Sequence, residues 1–454
     1  MCAIFGIAGQ QEASNLTYLG LHALQHRGQE GAGIVSTDGK LPFVHKERGL
    51  VADIFTATNI AKLQGHSAIG HNRYSTTGGN TSENLQPVMM KSSLGWVSIA
   101  HNGNLVNANV LTQKLEREGS IFQSTADTEV ILHLMAKSQE RDLMSAIVHA
   151  LKQVVGAYSL LILNHDYLVA IRDPQGIRPL VMGNLGGKPV FASESTAFDL
   201  IGANYEREIN PGEMVVVSLK ENFAVKCFRP FETGPLKRCV FEHVYFARPD
   251  SVVFSSTIYQ TRKNLGKQLA KEHPPLDAEI VIPVPDSGVY AAIGYSEFSK
   301  LPFEMGIIRS HYIGRTFIEP KQSIRDFGVK LKLNPIAQIV RGKSIVVVDD
   351  SLVRGTTSKK LIQHLRNSGA RKVHLRISAP PTAHPCFYGI DTPSKTELLA
   401  SAHSVDSIKD FIGADSLGYL SLSGLLQVAS EVSGPGFCHA CFSGEYPTPI
   451  TTIV

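Results

Sequence analysis

Apolar residues in the first half of the chain fall into short runs bounded by glycine, proline or asparagine. Examples are AIFGIA at 3–8, SLLIL at 159–163 and EMVVVSL at 213–219. Short apolar runs bounded by turn residues predict β-strands. Two stretches, near 15–25 and at 127–152, instead repeat apolar residues every three or four positions, which is typical of helices. The first half is therefore predicted to be rich in strands, with helices at these two places.

From about residue 240 the pattern changes to strands that alternate with helices. AEIVIPVPD precedes the helical SGVYAAIGYSEFS, and KSIVVVDDS precedes the helical TTSKKLIQHLRNSG. This alternation predicts a parallel sheet. The intervening CFRPFETGPLKRC, at 227–239, is rich in proline and glycine. We therefore predict two domains, 1–233 and 234–454.

Composition narrows the class of protein. The chain has 454 residues, 43% of them hydrophobic and 19% charged, as in compact globular proteins. Its net charge of +4 is too small to favour nucleic-acid binding. No apolar run reaches the roughly 18–20 residues of a membrane span, and no targeting segment opens the chain, so a cytoplasmic protein is expected. Six cysteines in such a chain are expected to be free, catalytic or metal-bound.

The most specific chemical pattern is SIVVVDDSLVRGTTSKKLIQHL, at 344–365. The strand ends in Asp349 and Asp350, whose carboxylates can accept from sugar hydroxyls or hold a divalent metal. Backbone N–H groups and hydroxyls at the following helix start can surround a phosphate. The residues of this loop are Arg354, Gly355, Thr356, Thr357 and Ser358. Because ligands of parallel sheets bind at the carboxyl ends of strands, we predict a phosphate site here.

A second strand ends in Asp286, Ser287 and Gly288, directly before a helix. This pattern alone is a common helix start. Between the two loops lies the basic segment 309–335, which is either a solvated surface or a lid that closes over an anionic ligand. The candidate cations of such a lid are Arg315, Lys330 and Lys332.

Polar motifs also stand out in the first half, together with a cysteine at position 2. They are LQHRGQEGAGI (24–34), GHNRYSTTGG (70–79), AHNGNL (100–105) and STADTEV (124–130). Each has an ordinary structural explanation when taken singly, such as a hairpin turn at Asn-Gly or a helix cap at Asp127.

Taken together, these motifs resemble known families. DDSLVRGTTS resembles the phosphoribosyl pyrophosphate (PRPP) motif of type I phosphoribosyltransferases, and DSG resembles their pyrophosphate loop. Cys2 and the four polar motifs resemble the N-terminal-nucleophile glutamine amidotransferases. The whole chain, to about Pro447, resembles the glutamine PRPP amidotransferases, which make 5-phosphoribosylamine in the first committed step of purine synthesis. This resemblance implies an αββα sandwich followed by a type I phosphoribosyltransferase parallel sheet, with both α/β and α+β character.

The resemblance also implies roles for the residues of the first half. Cys2, once Met1 is removed, is the expected nucleophile, with its own α-amine as the base. The Asn102 side chain and the Gly103 N–H are expected to stabilise the oxyanion. The residues expected to bind or enclose glutamine are Arg27, Arg73, Thr76 and Asp127.

In the second half, the resemblance assigns the two loops to PRPP and Mg²⁺. Asp349 and Asp350 are expected to meet the ribose and, with Ser287, the Mg²⁺ ion. The 5′-phosphate is expected on Gly355–Ser358. The other residues expected to bind PRPP are Asp286, Gly288, Arg315, Lys332 and Arg354.

Four of the remaining cysteines form a candidate metal site. Cys438 and Cys441 are spaced Cys-x-x-Cys, and their spacing leaves structural zinc, an iron–sulfur cluster and free thiols all open. Resemblance to a subset of the family implies a [4Fe–4S] cluster on this pair plus Cys239 and Cys386. Cys227 is expected to be an ordinary residue.

The resemblance further implies purine nucleotides as feedback inhibitors and a homo-oligomer, a tetramer. Two alternatives are a different amidotransferase of the same N-terminal class and a non-catalytic sensor of PRPP or purine nucleotides. The first would not carry DDSLVRGTTS. The second would be expected to lose Cys2, Arg73 or Asp127, all of which are present.

Overall fold

The computed structural model describes residues 1–74, 79, 81–275, 277–310 and 333–450. The first strand, β1 (Ala3–Ala8), is buried along its whole length. It lies in the middle of a seven-stranded sheet, where it pairs with a strand on each side. That central position explains why AIFGIA is continuously apolar, since both faces and both edges of β1 are covered.

Two antiparallel sheets make up the first half. The first has the order β11-β9-β10-β1-β4-β2-β3 and the second β13-β12-β8-β7-β6-β5. The remaining strands of the first sheet are β2 (Gly31–Thr37), β3 (Pro42–Arg48), β4 (Ser67–Arg73), β9 (Val181–Leu185), β10 (Lys188–Ala192) and β11 (Asn204–Glu208). The second sheet contains β5 (Val88–Ser92), β6 (Gly95–Leu105), β7 (Gly156–Leu163), β8 (Tyr167–Arg172), β12 (Met214–Ser218) and β13 (Val225–Phe228).

The two sheets pack face to face, with helices on both outer faces. Ile4, Ile69 and Leu161 belong to the apolar core between the sheets. A second core joins the first sheet to its outer helices, and a third joins the other sheet to α4–α6. The helices of this half are α1 (Ala13–Ala23), α2 (Val51–Ile54), α3 (Ala57–Ile60), α4 (Ala108–Arg117), α5 (Asp127–Lys137), α6 (Leu143–Leu151) and α7 (Thr196–Ile201). The predicted αββα sandwich is confirmed.

The stretch 127–152 forms two helices and not the continuous one that its periodicity suggested. The first ends at Lys137, where Ser138 turns to an extended conformation. Asp142 then caps the next helix, because its side chain accepts from the Ser145 N–H. A strong N-cap residue inside a periodic stretch marks a new helix start.

The second half is built on a parallel sheet with the order β17-β20-β21-β22, as predicted. Its strands are β17 (Ile280–Pro283), β20 (Ser344–Asp349), β21 (Lys372–Ile377) and β22 (Ser416–Tyr419). Short strand pairs accompany it, namely β14 (Arg238–Cys239) with β23 (Phe437–Cys438), β15 (Val252–Val253) with β16 (Ser256–Thr257), and β18 (Ile307–Arg309) with β19 (Leu333–Pro335). The helices are α8 (Ile258–Glu272), α9 (Val289–Ser299), α10 (Ala337–Val340), α11 (Thr356–Asn367), α12 (Leu399–Ala402), α13 (Val405–Ile412), α14 (Leu422–Ser433) and α15 (Ala440–Ser443).

The segment between the halves leaves the second sheet at Phe228 and reaches the first short strand of the second half at Arg238. The boundary between 233 and 234 stays a prediction. Across the described ranges, no helix combines the length and apolarity that a membrane crossing needs.

Candidate active sites

Cys2 lies at the start of β1 and is almost fully buried. Its thiol donates to the Tyr74 carbonyl at 3.5 Å. The strand is fixed here by the Ser193 hydroxyl, which accepts from the Ile4 N–H at 3.0 Å. Burial lowers the pKa of the Met1 α-amine, at this end of the strand, to about 5. An amine in this position is therefore neutral at physiological pH.

Asn102 and Gly103 lie on β6, paired with Ser159 and Tyr158 of β7. The Asn102 side chain is fully buried, and its Nδ2 donates to the Ser193 hydroxyl at 3.4 Å. Its Oδ1 has no hydrogen-bond partner among the described residues. Ser193 therefore links the strand of Cys2 to Asn102, a connection that no local sequence motif marks.

Asp127 is the first residue of α5 and accepts from the Leu105 N–H at 2.8 Å. His101 Nδ1 lies 3.7 Å from its carboxylate. Burial opposes ionisation of Asp127, but His101 and the backbone donors outweigh it and keep its pKa below the ordinary value. Asp127 is thus a buried anion beside the strand that carries Asn102.

Arg73 ends β4, next to β1, and is buried. Its Nη2 donates to the Gly79 carbonyl at 2.7 Å. The Gly79 carbonyl also accepts from Asn84, which donates to the Thr125 hydroxyl two residues before Asp127. A short chain of contacts therefore connects the two opposite charges of Arg73 and Asp127. Thr76 lies outside the described residues.

Arg27 lies beneath the nucleophile and is fully buried. Its Nε donates to the Cys2 carbonyl at 3.2 Å. Its guanidinium pairs with Glu194 and forms a two-fold contact with Glu242, at 2.8 and 2.9 Å. Burial alone would lower the pKa of Arg27, but the two carboxylates raise it above the ordinary value. Sequence analysis missed both carboxylates, because neither stands in a motif.

The two predicted PRPP loops meet at one edge of the parallel sheet. Strands β17 and β20 are neighbours, with Pro283 opposite Val348. Ser287 is a hydrogen-bond partner of the Asp350 side chain. Asp286 is paired with Arg309 at the start of the basic segment. The loops were predicted from separate parts of the sequence, and the parallel register joins them.

Asp349, which is half-buried, and Asp350, which is buried, form an acidic pair at the end of β20. Burial raises the pKa of both carboxyls, and for Asp349 the charge of Asp350 raises it further. The buried Arg262, on α8, partly offsets the rise for Asp350. Two adjacent carboxylates that resist ionisation favour a cation or a hydroxyl donor in front of them.

Residues 354–358 lead into α11 as predicted. Gly355 precedes the first turn, which has no side-chain cap. Thr356 and Thr357 are exposed and Ser358 is buried, while Arg354 pairs with Glu397 at 2.7 Å. A 12-residue helix with an uncapped first turn leaves N–H donors for a phosphate. Arg315, Lys330 and Lys332 lie outside the described residues.

The four candidate metal-binding cysteines lie in one region. Cys239 is directly opposite Cys438 in the β14–β23 pair. The Cys441 carbonyl accepts from Ala383 and His384, both at 3.1 Å, and so holds the segment that leads to Cys386. The thiols are near enough that the charges of the other three add to the effect of burial in raising the pKa of Cys441. Burial raises the pKa of Cys239 to about 11 and that of Cys438 to about 12.

Nowhere in the described ranges do three or more His, Cys, Asp or Glu side chains come close enough to hold a metal ion as they stand. Cys227 lies apart on β13, exposed, with Arg207 Nη2 at 3.4 Å from its sulfur.

Comparison with known proteins agrees with this arrangement. A sequence model of the glutamine amidotransferase domain matches residues 71–199. The amidophosphoribosyltransferase of Bacillus subtilis is 48% identical over 99% of this chain and 94% of its own. A structure described as the allosteric regulatory enzyme of purine biosynthesis covers all of this chain and 97% of its own, with a TM-score of 0.94 and 48% identity. The glutamine PRPP amidotransferase of B. subtilis, complexed with ADP and GMP, gives a TM-score of 0.93 at 47% identity, over 100% and 98% of the chains.

An N-terminal cysteine on an αββα sandwich, joined to a parallel sheet with a PRPP-type loop, defines a glutamine-dependent amidotransferase with a phosphoribosyltransferase half. The chain belongs to the amidophosphoribosyltransferase family. It is an enzyme, and the predicted activity, the first step of purine biosynthesis, is confirmed. The two alternatives, another amidotransferase and a non-catalytic sensor, are set aside.

Proposed function

We propose that the two halves share one reaction, with glutamine hydrolysed at Cys2 and the ammonia used at the PRPP loops. The α-amine of Cys2 takes the thiol proton, the thiolate attacks the carboxamide carbon of glutamine, and that proton passes to the departing nitrogen as the C–N bond breaks and ammonia leaves. Water then hydrolyses the thioester to glutamate. In the second half ammonia attacks C1 of PRPP, pyrophosphate leaves, and 5-phosphoribosylamine forms.

The roles in the glutaminase half follow from charge and burial. Once Met1 is removed, Cys2 would carry a free α-amine next to its own thiol, where it could accept the thiol proton. Asn102 and Gly103 are proposed to donate to the oxyanion. Arg73 is proposed to bind the α-carboxylate of glutamine and Asp127 its α-ammonium, each being a buried charge of the required sign.

The roles in the second half follow from the position of the two loops at one edge of the parallel sheet. We assign the 5′-phosphate to the start of α11 and the pyrophosphate to the 286–288 loop. The acidic pair suits Mg²⁺ that arrives with its substrate, because Mg²⁺ usually takes one or two carboxylates plus substrate phosphates. When bound, Mg²⁺ would neutralise the leaving pyrophosphate. Asp349, Asp350 and Ser287 are the residues proposed to hold it.

A [4Fe–4S] cluster is proposed on Cys239, Cys386, Cys438 and Cys441, with a structural role. Two observations support the fit. Raised pKa values make the thiols of Cys239, Cys438 and Cys441 poor thiolates unless a metal stabilises them. Nη2 of the buried Arg178, whose charge interacts with Cys239 and Cys386, has no hydrogen-bond partner among the described residues. A cluster is also larger than a single ion, so its ligands need not meet at one point.

Purine nucleotides are proposed as inhibitors that occupy the same phosphate loops, since their 5′-phosphate matches that of PRPP. The B. subtilis relative complexed with ADP and GMP supports this proposal. The tetramer and the cytoplasmic location stay predictions.

The proposal depends on the presence of two features in one chain, a buried Cys2 at the start of β1 and an acidic pair at the end of β20. The test is to assay pyrophosphate release from PRPP with glutamine and, separately, with ammonia. Cys2→Ala should abolish the glutamine-dependent reaction and keep the ammonia-dependent one, whereas Asp350→Asn should abolish both. Cys227→Ala, which removes an exposed cysteine, is the matched control. Loss of both activities in a folded Cys2→Ala protein would contradict the assignment of glutamine hydrolysis to the first half and of the PRPP reaction to the second.

A further inference from the structure

Residues 386–389, which we call the bridge segment, run from the cysteine group to the glutaminase half. The Phe387 carbonyl accepts from Asn104 Nδ2 at 3.0 Å. Gly389 has a φ of +97°, and a Cβ there would lie 2.7 Å from the Gly103 carbonyl oxygen. The backbone of the bridge segment therefore rests against the residue proposed to donate to the oxyanion.

Arg178 and its neighbour Ile177 hold the cysteine side of this segment. Arg178 Nε donates to the Tyr388 carbonyl at 2.7 Å. The N–H of Tyr388 in turn donates to the sulfur of Cys386 at 3.3 Å. The Cys239 N–H donates to the Ile177 carbonyl at 3.0 Å. Two consecutive residues of the first half thus fix the backbones that carry two of the four cysteines.

The guanidinium of Arg178 also connects the cysteines to the nucleophile. Its Nη1 lies 3.3 Å from Glu242 Oε1. Glu242 is the carboxylate that binds Arg27, whose Nε donates to the Cys2 carbonyl. The Nη2 atom of Arg178 is buried without a hydrogen-bond partner among the described residues. A buried donor without a partner is costly, and metal-bound thiolates would supply a negative group for it.

We infer that Arg178 and the bridge segment connect the cysteine group to the glutaminase site. Through this connection they position the backbone that is proposed to bind the oxyanion. Arg178 is a positioning residue, since it touches neither the substrate nor the reacting atoms. The inference rests on the proposed function, both for the role of Gly103 and for the cluster.

The test compares anaerobically purified full-length variants in two measurements, the midpoint potential of the cluster and the kinetics of glutamine hydrolysis without PRPP. Arg178→Met should shift the potential in the negative direction, because a cation that stabilises the reduced cluster is lost. Arg178→Lys keeps the charge but loses the forked contacts, so kcat should fall by about threefold to thirtyfold with little change in KM. Gly389→Ala should lower kcat, leave the potential unchanged and retain the ammonia-dependent reaction.

The matched control is Arg376→Lys, which changes a buried arginine that donates to Leu375 and Ser416 within the second half. It should alter neither measurement. A wild-type potential in Arg178→Met, or a wild-type kcat in folded Gly389→Ala and Arg178→Lys, would overturn the inference alone. Wild-type protein that contains no iron overturns the cluster proposal as well, and wild-type protein that does not hydrolyse glutamine overturns the proposed function.

Discussion

Arg27 and Glu242 join the two halves of the enzyme through a fully buried two-fold ion pair, with N–O distances of 2.8 and 2.9 Å. Arg27 lies shortly before β2 in the first half, whereas Glu242 begins a π-helical turn in the second half. Removing one charge from a buried pair leaves the other uncompensated.

Glu242→Gln should therefore destabilise the whole chain by about 3 kcal/mol in denaturant unfolding. Arg27 would keep Glu194, but Arg178 would lose the only carboxylate that lies within ion-pair distance of it in the described part of the chain. The control is Glu221→Gln, whose side chain and whose partner Lys226 are both exposed, at 63% and 64%. That change should cost less than about 1 kcal/mol. Equal losses in the two variants would show that the buried pair has no special role.

Asp127→Asn tests the proposed recognition of the glutamine ammonium. The amide can still accept from Leu105, so the start of α5 should stay in place. Loss of the charge should raise KM for glutamine by about tenfold to a hundredfold, the usual value of one charged hydrogen bond. Asp142→Asn is the control, since Asp142 also accepts from a backbone N–H at a helix start but lies on the surface. An unchanged KM in Asp127→Asn would remove Asp127 from the glutamine site.

Sequence alone could predict the features that depend on local pattern. The strands, the parallel sheet and the loop at 349–358 follow from periodicity and from residues adjacent in the chain. Ser193, Glu242 and Arg178 could not be found in this way. Each acts on a partner more than 60 positions away, and such contacts depend on how the sheets and halves pack. The break at 138–142 was missed because Asp142 stands inside a stretch whose apolar period continues on both sides.

Gly288→Ala tests the pyrophosphate loop. A Cβ at this position would lie 2.3 Å from the Val348 carbonyl oxygen, so the loop would have to move away from the end of β20. The ammonia-dependent reaction should fall by more than about tenfold, because a displacement of this size misaligns reacting groups. Glutamine hydrolysis without PRPP should be unaffected. Gly234→Ala, where a Cβ would meet nothing within 4 Å, is the control and should keep both activities.

Asp350→Asn should stabilise the ligand-free enzyme at neutral pH while it removes activity. The pKa values of Asp349 and Asp350 are raised in the folded chain, first by burial and, for Asp349, then by the charge of its neighbour. A carboxyl with a raised folded pKa binds its proton more tightly in the folded state. Stability is therefore fully present below the ordinary value of 3.8 and is lost as pH rises through the folded pKa.

Melting temperatures of wild type and Asp350→Asn, measured without ligand from pH 4 to pH 8, test this directly. The melting temperatures of the two should agree near pH 4 and diverge as pH rises, with the variant higher by about 1 °C per kcal/mol of relieved repulsion for a chain of this length. Mg²⁺ with pyrophosphate should raise the melting temperature of the wild type and leave that of the variant almost unchanged, because the divalent ion needs both carboxylates. Asp410→Asn removes an exposed carboxylate and should follow the wild type throughout. If the melting temperatures of wild type and Asp350→Asn changed in parallel across the whole pH range, repulsion between the two carboxylates would not destabilise the folded enzyme.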